Sequence, residues 1–474
     1  MRVLLSLLLV LLPLAGCAGD AEGLLVERPE RGPGVFQRPA ECIECHPQHV
    51  EQWAASNHAY AAVDPVFHAM VRLGQRQSEG KLGQFCVQCH TPVGLAEGQT
   101  EVVFDEAQGI WQQPMDDLQG AASDGVSCDV CHSITDVHEP RNARMTLTAD
   151  GTKRATIADP MPTQAHGSAY SELHASGEVC GTCHNVTNPK DALVEQTFDE
   201  WAGSSFAEDG TTCMDCHMPP RLGRAAPDAP IRELHDHTMV GVDVSLLPPD
   251  EFPGYELLRD RSAELLRSAA DLDVAAEGGE IVVTVTNRAG HALPSGATAE
   301  RQLWLEVVVW DDVGQLLFES GTLDARGDLR DGLDGHSLEP GTDPQLVQWG
   351  QLLVSVPDLD GLDGDARDAR LLQADAACLP FGRGGVVDGS GITPVSFPWQ
   401  ANWQCDHLIA ADGDATARFD VGSAGHARVR LLFRSFPPYF LRELEHDAGL
   451  DPDVATRVPT VEIASRWVEL SGAW

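Results

Sequence analysis

The chain has 474 residues, with 72 Asp and Glu against 32 Lys and Arg, and a formal net charge of −40. A field of that sign repels nucleic acid and anionic lipid, which sets nucleic-acid binding aside, and it steers cations or basic proteins to the surface with a strong dependence on salt. Acidity of this kind also keeps exported proteins in solution, so it suits basic partners without requiring them.

Met1 and Arg2 form a basic start, Val3 to Leu12 an apolar run, and Leu14-Ala15-Gly16-Cys17 a small-residue close. The run is too short to span a bilayer and reads as a secretory signal over residues 1–16. Its last four residues resemble the lipobox of bacterial lipoproteins. That resemblance implies cleavage before Cys17, acylation of the Cys17 thiol, and a tether over residues 17–40. More than one acyl chain gives stable anchoring. Ala18 stands where an Asp would signal inner-membrane retention, so the outer membrane is the expected anchor, with its periplasmic and cell-surface faces both open. An ordinary signal peptide with an incidental Cys is the alternative, and no later apolar stretch reaches spanning length.

Five copies of Cys-x-x-Cys-His follow, with thiols Cys42 and Cys45, Cys86 and Cys89, Cys128 and Cys131, Cys180 and Cys183, and Cys213 and Cys216. Each pair is followed directly by a His: His46, His90, His132, His184 and His217. This is the attachment motif of c-type haem, in which two thiols add to the vinyl groups and the adjoining imidazole binds the iron as proximal ligand. Zinc knuckles or redox dithiols have no need of a His at that position five times over. The expectation is five covalently bound haem c in a mostly helical and loop domain over residues 41–242, with the porphyrins as its core, short helices only, and folding coupled to cofactor attachment.

The sixth iron ligand decides between carrying electrons and binding a substrate. Of 18 His, five are proximal and 13 remain: His49, His58, His68, His138, His166, His174, His235, His237, His291, His336, His407, His426 and His446. An iron with two imidazoles is saturated and only exchanges electrons, whereas an open one can bind nitrite, hydroxylamine, NO or peroxide. The supply favours the carrier. His49, so close behind His46, reads as a surface residue, and His68 and His138 are unranked candidates.

Several segments carry a resemblance. Trp53-Ala54-Ala55-Ser56-Asn57-His58, His174 ahead of the fourth motif, Glu195-Gln196-Thr197-Phe198-Asp199-Glu200-Trp201 before the fifth, and His235-Asp236-His237-Thr238-Met239-Val240-Gly241 after it resemble the multihaem cytochromes that include the tetrahaem carrier of ammonia oxidisers and the hydroxylamine-oxidising enzymes. The likeness runs from Glu41 to about Gly241 and implies His58, His174 and His237 as distal ligands, with His166 next. Asn287-Arg288-Ala289-Gly290-His291-Ala292-Leu293-Pro294-Ser295-Gly296 resembles the G-H-x-x-P-[ST]-G turn in the C-terminal β-domain of exported multihaem cytochromes. Gly and Pro restrict such a turn, so His291 can project into the haem domain at little entropy cost and ligate an iron there. A loop His bonded to its own turn is the alternative.

Residues 243–271 read as a linker helix, amphipathic from Gly254 to Ala270 with Leu257, Leu258, Leu265 and Leu266 at helical intervals. Residues 272–474 read as a β-sandwich-like domain, with strands at Ile281 to Thr286, Leu303 to Trp310, Ala417 to Val421, His426 to Phe433 and Val461 to Leu470, and a helix at Tyr439 to His446. The whole is therefore of the α+β class. Asp358 to Asp365 alternates Asp with Gly turns and is a candidate calcium loop, although it lacks a closing Glu and a solvated acidic loop competes. Cys378 and Cys405 lie in a loop-rich stretch, where export makes a disulfide the expectation and two free thiols the alternative.

The functional expectation is a membrane-anchored, extracytoplasmic pentahaem electron carrier with bis-His haems, serving redox partner proteins in a respiratory chain. Two alternatives stay open: a reductase or oxidase with one open haem acting on nitrogen or sulfur oxyanions, and a subunit of a haem filament. No catalytic residue is assigned. All five motifs end in His rather than departing from the pattern, and none of Tyr60, Tyr170, Tyr255 and Tyr439 sits in a matching cross-linking context.

Overall fold

A computed structural model describes residues 25–27, 36–333, 336–337, 342–359, 361–378, 391–422 and 425–470. The signal segment and Cys17 lie outside the described residues. Among the described residues no helix is long and apolar enough to cross a membrane. The expected tether is partly structured, because Leu25–Glu27 pairs in parallel with Met145–Thr148. Short Leu and Val runs suit such a strand addition, and the backbone there is held by ladder bonds.

The N-terminal half departs from a helix-and-loop assembly. Short antiparallel pairs form at Val103–Asp105 with Ile110–Gln112, Val186–Thr187 with Leu193–Glu195, and Pro220–Arg224 with Ile231–His235. Thr152–Ala155 pairs in parallel with Gly167–Tyr170. One helix is longer than expected: α1, Pro65–Gln77, capped by the Asp64 carboxylate on the Val66 N–H at 2.8 Å. Pro at its first position and buried Val66, Phe67, Ala69, Val71 and Leu73 account for its length. The porphyrins are not the whole core either. Phe67, Val71, Val87, Val93, Met115, Val130, Ile134, Met145 and Leu147 form a protein cluster within this half.

Helix α2, Tyr255–Ser268, leads out of the haem region and buries Leu258 and Leu266. Leu257, expected on the apolar face, is 43% exposed. The C-terminal half is then built from β1 (Ala270–Glu277), β2 (Glu280–Asn287), β3 (Gln302–Trp310), β4 (Leu316–Ser320), β5 (Gln348–Ser355), β6 (Thr393–Pro394), β7 (Trp403–His407), β8 (Asp414–Asp420), β9 (Gly425–Arg434) and β10 (Val461–Leu470). Strands β1, β2 and β8 form one antiparallel sheet. The other follows the order β6-β5-β3-β9-β10, with β4 beside β3 and β7 beside β5. Leu272, Ile281, Val283 and Val285 from the first sheet meet Leu303, Leu305, Val307, Val309, Val429 and Leu431 from the second in one core, as in a sandwich. Strand β3 is buried on both faces, because Trp304 packs under Leu329 and Leu346 on the outer side.

Two further helices, α3 (Gly364–Cys378) and α4 (Pro438–Ala448), belong to this half. Helix α4 takes part in a third cluster that crosses between the halves, in which Tyr60, Val66, Ala69 and Leu73 of the haem region pack with Phe397, Phe440, Leu441 and Leu444. The candidate calcium stretch Asp358 to Asp365 runs directly into helix α3 at Gly364, and its Asp360 lies outside the described residues. Cys378 ends α3 and Cys405 lies on β7, so neither is in the expected loop, and the structure joins them in a disulfide with Cα atoms 5.6 Å apart.

That bridge closes 27 residues, for which the chain-entropy account gives about 3 to 4 kcal/mol of stabilisation. Cys378→Ser with Cys405→Ser should lower the unfolding free energy by about that amount in urea titrations.

Candidate functional site

Each motif folds as a helical turn, with the His N–H of the first, second and fourth motifs bonded to the carbonyl of the first Cys (His46 to Cys42 2.8 Å, His90 to Cys86 3.3 Å, His184 to Cys180 2.9 Å). Cys128–His132 and Cys213–His217 are likewise single helical turns. Positions i, i+3 and i+4 share one face of such a turn, so both thiols and the imidazole point the same way. All fifteen motif side chains line one continuous cavity of about 1420 Å³. That exceeds the roughly 300–1,000 Å³ of a pocket for one small ligand.

The proximal imidazoles are aimed by their second nitrogen. The Nδ1–H of His46 donates to the Ala225 carbonyl (2.6 Å), that of His132 to Arg154 (2.7 Å), and that of His217 to Val240 (2.6 Å). His90 reaches the Ala61 carbonyl at 3.4 Å, and His184 the Glu195 carboxylate at 3.0 Å. Nε2 is thereby left to face the cavity, the arrangement found for metal-binding His. Burial pushes His90 and His132 down to about 4, which keeps them neutral and able to ligate. Burial also disfavours charge on His184, but the Glu195 hydrogen bond and charge outweigh it and hold that imidazole up at about 9.

The distal candidates can be tested by distance. A metal–imidazole bond of about 2.0 Å plus about 1.1 Å from nitrogen to ring centre, taken twice, puts two trans imidazoles about 6.2 Å apart between centres. His46 and His166 are 6.2 Å apart, His58 and His184 6.2 Å, and His217 and His291 6.3 Å. His132 is faced at 6.3 Å by both His174 and His237. The residues present therefore fit haem. His174 occupies both nitrogens, with Nδ1 on the Ser171 hydroxyl (2.8 Å) and Nε2 on the Cys131 carbonyl (2.8 Å). His237 donates Nδ1–H to the His235 carbonyl (2.9 Å) and leaves Nε2 toward the cavity.

His90 differs. Its ring stacks on Phe67 at 4.0 Å, and among the described residues no second imidazole stands opposite it. The five distal candidates thus do not distribute one to each motif, because two converge on His132.

His49 is a correction. It is not a plain surface residue, for it lines the cavity 4.9 Å from His237 and 5.9 Å from His46, and burial pushes it down to about 4. Its spacing of three from His46, on helix Pro47–Ala54, was the signal that could have placed it. His235 also lines the cavity, whereas His68 and His138 do not: His68 bonds the Ala62 carbonyl and Asp116, and His138 bonds Thr146. Glu195, the carboxylate on His184, was missed because sequence alone does not show which acid reaches which imidazole.

The turn bearing His291 is clamped from both sides. Asn287 Nδ2 donates to the His291, Ile409 and Ala410 carbonyls. Across the junction, the Glu200 carboxylate accepts from the Ala292 N–H (3.1 Å) and the Ser295 hydroxyl (2.6 Å), and Thr197 Oγ1 accepts from the Gly296 N–H (3.1 Å). The β-domain thus presents His291 to the fifth motif.

Thiols of different motifs adjoin. Cys42 and Cys128 are electrostatic neighbours, as are Cys89 and Cys183, Cys180 and Cys213, and Cys131 and Cys183. The spatial order is first, third, fourth, fifth, with the second branching from the fourth. Cys45 of the first motif and Cys216 of the fifth are the exposed thiols.

Residues 41–133, which hold the first three motifs, match the family model described as cytochrome c554 and c-prime. The fold is similar to the crystal structure of a penta-haem cytochrome c552 from Thermochromatium tepidum, at 18% identity and a TM-score of 0.60, covering 92% of this chain and 99% of that one. No curated protein matches the chain. Motifs, cavity and these likenesses support one class, a multihaem c-type cytochrome with covalently bound haem c.

Gly125 packs against the backbone of His58. Its φ is +62°, and a Cβ there would strike the His58 carbonyl, which accepts the Val126 N–H at 2.9 Å. Gly125→Ala should cost at least about 1 kcal/mol from the left-handed backbone alone and displace His58 from His184. The oxidised holoprotein should then lose one low-spin EPR signal, and His58→Ala should give the same loss.

Proposed function

We propose that the protein is an exported, lipid-anchored pentahaem electron carrier of an extracytoplasmic respiratory chain, exchanging electrons with redox partner proteins of basic surface. The observation that carries this reading is the set of opposed imidazoles at 6.2–6.3 Å. We assign the axial pairs His46 with His166, His132 with His237, His184 with His58, and His217 with His291. When bound, a bis-imidazole haem exchanges one electron without taking a substrate, and an open one can also bind a small ligand.

The motif order first, third, fourth, fifth gives an electron path whose two ends carry the exposed thiols Cys45 and Cys216. Partners would dock at those ends, drawn by the charge of −40. The leader and Cys17 motivate export and anchoring to the outer membrane.

A second reading is favoured by one observation, the absence of an imidazole opposite His90 among the described residues. On that reading the second motif is a side branch with an open iron, which reduces a nitrogen or sulfur oxyanion with electrons from the fourth.

Low-temperature EPR of the oxidised protein, with haem counted, tests both. Four low-spin signals and one high-spin signal are expected, and His291→Ala should convert one more haem to high-spin. An unchanged spectrum in that variant would sink the His217 with His291 assignment. A high-spin signal that shifts on adding nitrite, hydroxylamine or NO supports the second reading, and one indifferent to all three supports the carrier alone.

A further inference from the structure

Glu300 is a buried carboxyl of the haem cavity that neither the axial pairs nor the domain junction uses. It ends the short turn Thr298–Glu300 after the His291 loop, lines the haem cavity, and is 9% exposed. From the β-domain it is an electrostatic neighbour of Cys86 in the second motif. Among the described residues no hydrogen-bond donor pairs with its carboxylate. This separates it from Asp64, which accepts from the Tyr60 hydroxyl (3.0 Å) and the Val66 N–H (2.8 Å).

The charged groups facing Glu300 come from four places. Arg301 is next in sequence but is engaged with both oxygens of Asp243, at 2.8 and 3.0 Å. Asp243 lies ahead of α2, Asp64 caps α1, and Glu195 belongs to the strand Leu193–Glu195. Three of these four neighbours are acids, and Asp243 takes both terminal nitrogens of the one cation. Burial pushes the Glu300 carboxyl up to about 8, with Arg301 opposing and the three acids adding to the rise. A carboxylate in such a place is costly without donors and takes up a proton instead.

We propose that Glu300 is a proton-binding site coupled to the second motif's haem, so that one electron and one proton are taken up there together. The inference rests on the haem-carrying reading above. One electron comes from a one-electron donor protein by way of the fourth motif, and one proton comes from solvent. Fe(III) and the carboxylate become Fe(II) and the carboxylic acid, and the only bond formed is O–H. Reduction removes a positive charge beside the carboxyl, which raises its proton affinity. The reverse step releases both.

The test is a spectroelectrochemical titration of the full holoprotein between about pH 6 and about pH 9, with haem counted on the same sample. One potential should fall as pH rises, with a slope approaching one proton per electron, which is about 59 mV per tenfold change in proton concentration for a one-electron couple. Glu300→Gln should flatten that slope and Glu300→Asp should keep it, while Asp64→Asn, which removes one of the acids that raise Glu300, should keep the slope and move its pH window down. A protein without covalent haem would overturn the electron-carrying reading itself. A full haem complement with pH-independent potentials, or a slope that survives in Glu300→Gln, overturns the Glu300 proposal only. If Glu300→Gln fails to assemble, the infrared difference spectrum of the unaltered protein decides. A protonated-carboxyl band gained on reduction supports the proposal, and its absence overturns it.

Discussion

The arrangement depends on aiming imidazole nitrogens into a shared cavity. A His directly after a Cys-x-x-Cys turn is placed by the helix, but the turn does not fix the ring's rotation. That rotation is fixed at Nδ1, by backbone carbonyls for His46, His132 and His217 and by Glu195 for His184. These acceptors come from distant parts of the chain: Arg154 from a short parallel pair, Ala225 from the loop after Pro220–Arg224, and Val240 from the stretch before α2. The small sheets of the N-terminal half are thus more than filler between motifs. One of them carries the Arg154 carbonyl that orients His132, and another ends just before Ala225, which orients His46.

The β-sandwich takes part in the same site. Its core is its own, with Ile281, Val283 and Val285 facing Leu303, Leu305 and Val307, yet its edge toward the haem region supplies His291, Glu300 and Arg301 within eleven consecutive positions. Glu200 and Thr197 grip the turn from the haem side, and α1 packs with α4 in a common cluster. A domain attached only through a flexible linker could not hold an imidazole 6.3 Å from His217, because the tolerance for ligation is a fraction of an ångström.

Much of this was legible in the sequence for a physical reason. The five motifs are local, so spacing alone specifies their geometry. Strands β2, β3, β9 and β10 stood out through alternating or continuous β-branched residues. Strand β5 did not, because Gly350 and Gln351 interrupt Gln348–Ser355, and its buried Gln351 is explained only by Asp406 across the sheet at 2.8 Å. Helix α3 was hidden by its acidic start, although Ala, Arg and Leu dominate its later turns. Distal pairing was the least legible feature. It depends on which imidazoles meet across a cavity, so counting candidates could not reveal that His174 and His237 share His132 while His90 stacks on Phe67.

Charge links these features. With 72 acidic residues against 32 basic, the protein's field favours the more positive, oxidised state of any iron it holds and so lowers its potential. Salt and solvent screen surface carboxylates, but not those inside the cavity. Asp64, Glu200 and Glu300 line or border that cavity, and burial pushes them up to about 6, 7 and 8 respectively. A buried acid that can become neutral removes a negative charge close to the iron, and does so when an arriving electron makes that charge most costly. Asp64 and Glu200 are each held by donors, which stabilise the charged form and oppose such a response. Glu300 lacks them. Glu300 neighbours Cys86, so its response to an added electron falls on the second motif, where no paired imidazole faces His90 among the described residues.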